Sequence, residues 1–170
     1  MKAMKKILSL ALAGVMALAL LTGCGTGSSA SHKSIAKAME DYSRVIETNP
    51  DITYTSSAKL DAKLQELAAD PIFEAVVKAV YNGQSPTIPA GVLPTNKVVY
   101  LYCGKYDKDA GKQAINLNAW GHYTHIGSNS TLADERKIGL ITTSFTDDTT
   151  NEKVKVRFAV VVSEIPAATP

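Results

Sequence analysis

The stretch KVKVRFAVVVSEI, residues 153–165, decides the fold. Read with a period of two, it places Val154, Val156, Phe158, Val160 and Val162 on one side and Lys153, Lys155 and Arg157 on the other. Alternation of that kind belongs to an antiparallel strand with one face on a core, and here the first half of the second face meets water. Working outward, KIGLITTSF (137–145) is the natural partner around the turn TDDTTN. KVVYLYC (97–103) and QAINLNAW (113–120) also read as strands. In the second of these, Ile115 and Leu117 alternate with Asn116 and Asn118, and GKYDKDAGK is expected to close a hairpin between the two.

Upstream the period is helical. Ile35, Met39, Tyr42 and Ile46 form one apolar stripe over 31–48, with Ser31 as cap and Asn49-Pro50 as stop. Leu60, Leu64 and Leu67 mark a second helix over 57–69. Asp70-Pro71 starts a third, which carries Phe73, Val76, Val77 and Val80 and ends at Asn82-Gly83. The proline-rich 84–96 reads as an extended connection. Helices first and strands after predict an α+β domain, its N-terminal helices packed on one face of a four- or five-stranded antiparallel sheet.

The N-terminus carries a different message. Lys2, Lys5 and Lys6 precede the apolar run ILSLALAGVMALALL (7–21), which is shorter than the ~20 residues that span a bilayer. It ends in Leu21-Thr22-Gly23-Cys24, followed by GTGSSAS. LTGC resembles the lipobox of bacterial lipoproteins. The resemblance implies removal of 1–23 by signal peptidase II and a diacylglycerol thioether, with palmitate-like chains, on Cys24. Two acyl chains suffice for stable anchoring. Residues 24–30 then form a flexible tether, 31–165 the ectodomain, and 166–170 a frayed tail. The expected setting is extracytoplasmic, on the cell membrane or the outer membrane.

The formal charge of +2 includes those three lysines; without them 15 basic residues face 16 acidic ones. So even a balance predicts no basic stripe and no nucleic-acid partner. Membrane contact through the lipid, and a protein or cell-wall partner, remain as the expected associations.

For chemistry, AWGHYTHIGSNS (119–130) holds Trp120, His122, Tyr123 and His125, the candidate binding residues. His122 and His125, three apart on strand and turn, point to opposite faces and lack a third ligand nearby, so no metal is expected. GHYT is similar to a signature of the CAP superfamily of secreted cysteine-rich proteins, and that resemblance implies a cleft centred on His122 with hydrolase or lipid or small-molecule binding activity. His125 departs from that family's glutamine, and its upstream His/Glu motifs are missing here. A long helix followed by an antiparallel meander is also similar in architecture to type IV pilins, without their prepilin motif. Cys103 alternates with Val99 and Leu101 and reads as a buried apolar thiol. Asp107, Asp109 and Gly111, and likewise TDDTT (146–150), read as turns rather than calcium loops. Asn129 opens a sequon, a modification not expected on a bacterial lipoprotein. With no catalytic residue and no cofactor beyond the lipid on Cys24, the sequence points to a non-enzymatic binding, adhesion or adaptor module. Tyr100, Tyr102 and Trp120 are its possible contact aromatics, although core packing suits them better.

Overall fold

The apolar pattern of residues 153–163 is satisfied from two sides rather than one. A computed structural model describes residues 30–119, 123–126 and 131–165. Its elements, in chain order, are α1 (His32–Ile46), β1 (Thr53–Ser56), α2 (Ala58–Ala68), α3 (Phe73–Tyr81), β2 (Val98–Lys105), α4 (Ala110–Leu117), β3 (Tyr123–Ile126), β4 (Glu135–Thr146) and β5 (Lys153–Ser163). The strands form one five-stranded sheet in the order β1-β4-β5-β2-β3. Among the described residues no helix is long and apolar enough to cross a membrane.

The α+β class stands, with three differences in detail. First, the sheet is mixed: β1 runs parallel to β4, and the other pairs are antiparallel. Second, helices cover both faces. Val156, Phe158, Val160 and Val162 pack with Leu64 and Leu67 of α2 and with Phe73, Val76 and Val80 of α3. The alternate residues Ala159 and Val161 pack with Ile35 and Met39 of α1 and with Ala114 and Leu117 of α4. Third, residues 110–117 are helix, not strand. Asp109 caps that helix by accepting the Lys112 N–H at 2.8 Å, and Gln113, Ala114 and Leu117 turn inward while Ile115 is exposed. A short apolar run fits either period, and the cap tips it to helix.

Caps explain the other starts. Ser31 accepts the Ser34 N–H, and Ser57 accepts the Leu60 N–H. Two glycines let helices sit directly on the sheet. A Cβ on Gly139 would lie 2.4 Å from Cβ of Leu60 in α2, and one on Gly104 would lie 2.3 Å from the backbone oxygen of Asn116 in α4. No side chain fits at either crossing.

Beyond β1, the β4 edge is closed by Asp61, whose carboxylate accepts the Leu140 N–H at 2.8 Å and meets His32 Nδ1 at 2.9 Å. The first turn of α1 is thereby tied to α2 and to the sheet edge.

Candidate functional site

Of the residues nominated by sequence, Cys24, Trp120, His122 and Asn129 lie outside the described residues. Tyr123 and His125 are in β3, where the backbone sets them opposite Tyr102 and Tyr100. Cys103 is fully buried, and burial pushes its thiol up to about 12. So high a value keeps it protonated and poorly nucleophilic at neutral pH. Tyr102 is buried beside Tyr100, with ring centroids 6.3 Å apart. Asp107 accepts the Asp109 N–H, so the DKDAG segment is a turn leading into the α4 cap. Among the described residues no group of three His, Cys, Asp or Glu could hold a metal ion.

Two buried arginines on the α1/α4 face of the sheet draw attention, because a buried charge demands partners. Arg136 is satisfied. Its Nη1 and Nη2 each donate to a Glu47 carboxylate oxygen at 2.6 Å, and its Nε donates to the Ala133 carbonyl at 2.9 Å. Nη1 also donates to the Tyr54 hydroxyl at 3.2 Å, which meets Ser43 Oγ at 3.3 Å. Burial alone would pull this guanidinium down, yet the Glu47 pair and Tyr54 hold it above its ordinary value. The network joins the end of α1 to β1 and β4.

Arg157 is the opposite case. The sequence pattern predicts it exposed with Lys153 and Lys155, but only 3% of its surface is accessible. The cause is local. Tyr106, just past β2, donates its N–H to the Lys155 carbonyl and sets its ring against both cations, with Lys155 Nζ 4.0 Å and Arg157 Cζ 5.2 Å from the centroid. On the other flank α4 lies against Gly104, the cross-strand partner of Arg157. Arg157 Nε is buried with no hydrogen-bond acceptor among the described residues. Burial pushes the guanidinium down, with Tyr106 opposing, and arginine still stays charged at neutral pH.

Lys153 and Lys155 are exposed, and across the β4–β5 ladder Thr146, Ser144 and Thr142 stand opposite Lys153, Lys155 and Arg157. Cross-strand partners share a face with Cβ atoms ~5 Å apart, so each cation has a hydroxyl neighbour. The result is three rungs, each a cation beside a hydroxyl; those of Lys153 and Lys155 are open to solvent, whereas that of Arg157 is closed over by Tyr106 and α4. Among the described residues no ion pair engages Lys153, Lys155 or Arg157. Two of the nearby turn acids are occupied elsewhere. Asp147 accepts the Thr149 and Thr150 N–H groups, which holds its carboxyl below the usual range, and Asp148 pairs with Lys78 at 2.8 Å.

The balanced overall charge therefore hides a local basic ladder that the sequence pattern contained in its lysine and arginine positions. The hydroxyls and Tyr106 could not be added to it before the register across β4, β5 and β2 was known. A shallow depression elsewhere, lined by Glu74, Lys78, Asn82 and Asp148, contains an ion pair already closed on itself. No protein-family model matches the chain, and neither a curated protein nor a solved structure shows a significant match to it.

Proposed function

We propose that the protein is an exported cell-envelope lipoprotein, held at the membrane by lipid on Cys24, whose ectodomain is a binding module for anionic ligands. Lys153 and Lys155 carry this reading: they are two exposed cations on one strand face, the buried Arg157 guanidinium adds to the same positive field from beneath Tyr106, and none of the three is in an ion pair among the described residues. The anchor reading is supported by the basic start, the short apolar run and LTGC at 21–24, followed by a Gly/Ser tether.

Each half has its own test. Metabolic labelling with a clickable fatty acid should mark the wild-type chain and fail on Cys24→Ala, which should also leave the membrane fraction. Labelling of that variant at the wild-type level would remove the anchor. For the surface, the full chain in nonionic detergent should be retained on a polyanion matrix and eluted by moderate salt. The triple variant Lys153→Gln, Lys155→Gln, Arg157→Met should elute earlier, and identical elution would remove the ladder as the anion site.

A further inference from the structure

The chain enters the fold at one end of the sheet, and unpaired lysines gather at that end. The Ala30 N–H donates to the Lys108 carbonyl at 2.9 Å, and the Tyr106 N–H donates to the Lys155 carbonyl at 3.0 Å. These two bonds stitch together the start of α1, the loop from β2 to α4 and the start of β5. On those three segments lie Lys33, Lys105, Lys108, Lys112, Lys153 and Lys155, all exposed and, among the described residues, in no ion pair. The interleaved acids are fewer. Asp107 accepts the Asp109 N–H and Asp109 accepts the Lys112 N–H, which leaves Glu152 exposed beside Lys153. The far end of the molecule, ~23 Å further along β5, has the opposite character. There Glu47 holds Arg136, Glu164 holds Lys97, and Asp51, Asp134 and Glu135 are exposed beside Lys137. The domain is therefore polarised along its length, positive where the chain enters.

We propose that this lysine end lies against the bilayer that holds the anchor, on anionic lipid headgroups, so that the acidic end points away from the membrane. This rests on the lipid on Cys24 and deepens the anion-binding reading by naming the anionic surface. The tether argues for this occupant. Cys24 and Ala30 are joined by at most ~20 Å of extended chain. A soluble polyanion must be gathered from solution, whereas lipid on Cys24 keeps a headgroup layer within that reach by covalent linkage. Attraction between a basic cluster and an anionic leaflet acts over about a Debye length and needs no fitted contact. Lys155 can therefore contribute while it stays on the Tyr106 ring, and Arg157 while it stays buried. Two acyl chains already anchor the chain, so the lysines set its orientation rather than its attachment.

The test reads each lysine separately. The lipidated chain, purified in nonionic detergent, is inserted into preformed vesicles of phosphatidylcholine alone or of phosphatidylcholine and phosphatidylglycerol in equal parts, and recovered by flotation. A membrane-impermeant amine-acylating reagent then marks accessible lysines, and mass spectrometry gives the rate at each. The lysines of the entry end should be acylated at least ~5-fold more slowly on the anionic vesicles than on the neutral ones, the factor that one lysine's attraction to an anionic leaflet supplies. Lys137, exposed at the far end, should react equally on both and serves as the internal reference. Raising the salt to ~1 M, where the Debye length is ~3 Å, should abolish the protection. Equal acylation on the two vesicle types would overturn the orientation and leave the anchor standing. So would protection of Lys137 as strong as that of the entry-end lysines. A chain that floats with neither vesicle would remove the anchor and this inference together, with the polyanion-matrix result standing apart from both.

Discussion

The β4–β5 ribbon has two halves that share one hydrogen-bonded ladder and differ in what lies over them. Where Arg136–Ile141 pair with Phe158–Ser163, helices press on both sides, and residues 158–163 are all buried. Where Thr142–Thr146 pair with Lys153–Arg157, the Phe145 and Val156 side is covered, with Tyr81 stacked 5.1 Å from Phe145, and the other side is polar. A strand buried on both faces reads as a continuous apolar run, and one buried on a single face alternates. Both signatures sit in KVKVRFAVVV. The alternation in its first half holds for the exposed Lys153 and Lys155, but Arg157 is already buried, and extending the pattern through Ala159 and Val161 hides the second helical layer. Two faces of one strand can carry different jobs, and here the covered half provides stability while the open half provides a surface.

The largest expected effect lies in the covered half. Phe158 is fully buried and meets Phe73 edge-on with centroids 5.6 Å apart. Phe158→Ala should cost about 3–5 kcal/mol in urea unfolding, the range for emptying a core aromatic site. A loss below about 1 kcal/mol would mean that this half is not packed between helices, and the contrast between halves would collapse.

Next in size is the contrast between the two buried arginines. Arg136→Met removes a bidentate partner from Glu47 and a donor from Tyr54, so it should destabilise by about 1–3 kcal/mol, moderated because Glu47 is partly exposed. Arg157→Met removes a buried charge that among the described residues has no carboxylate partner and an unbonded Nε, replacing it with apolar volume. Such exchanges are often neutral or stabilising, so the change should stay within about 1 kcal/mol of zero or favour the folded state. Equal losses at the two positions, measured by the same unfolding assay, would show that the Arg157 guanidinium holds the fold together as the Arg136 one does.

How much of this was legible before the coordinates depends on how local each signal is. The helices at 32–46 and 58–68 were, because stripe and serine cap lie within a few residues of each other. β1 was not. Its four residues TYTS show no apolar alternation, and it exists because Thr53 donates to the Asp134 carbonyl and Ser57 to that of Ile138, far along the chain. The helix at 110–117 was obscured because Ile115 and Leu117 alternate with Asn116 and Asn118 as in a strand, although Ile115 faces solvent and the inward face is Gln113, Ala114 and Leu117. The cations of the ladder were legible as a strand face. Tyr106 and the hydroxyls joined them only through pairing across three strands, and the burial of Arg157 follows from the way α4 crosses Gly104.

The smallest stability effect is expected at Lys153 and Lys155, and it is the sharpest test of the division of labour. Both side chains are exposed, and among the described residues neither forms an ion pair. Lys155 has its cation–π contact with Tyr106, a type of contact worth about 0.5–1 kcal/mol at exposed sites. Against that, three like charges at two-residue spacing repel, and Lys→Gln relieves part of the repulsion while keeping a long polar side chain. The opposing terms are of similar size, so each single Lys→Gln change should move unfolding free energy by no more than about 0.5 kcal/mol, the usual range for surface sites. Added salt should narrow even that, because screening weakens both the repulsion and the cation–π attraction. If instead either substitution cost about 2 kcal/mol, the lysine would have to be holding the fold together. The open half of the ribbon would then be part of the scaffold, with no surface left for a ligand to occupy.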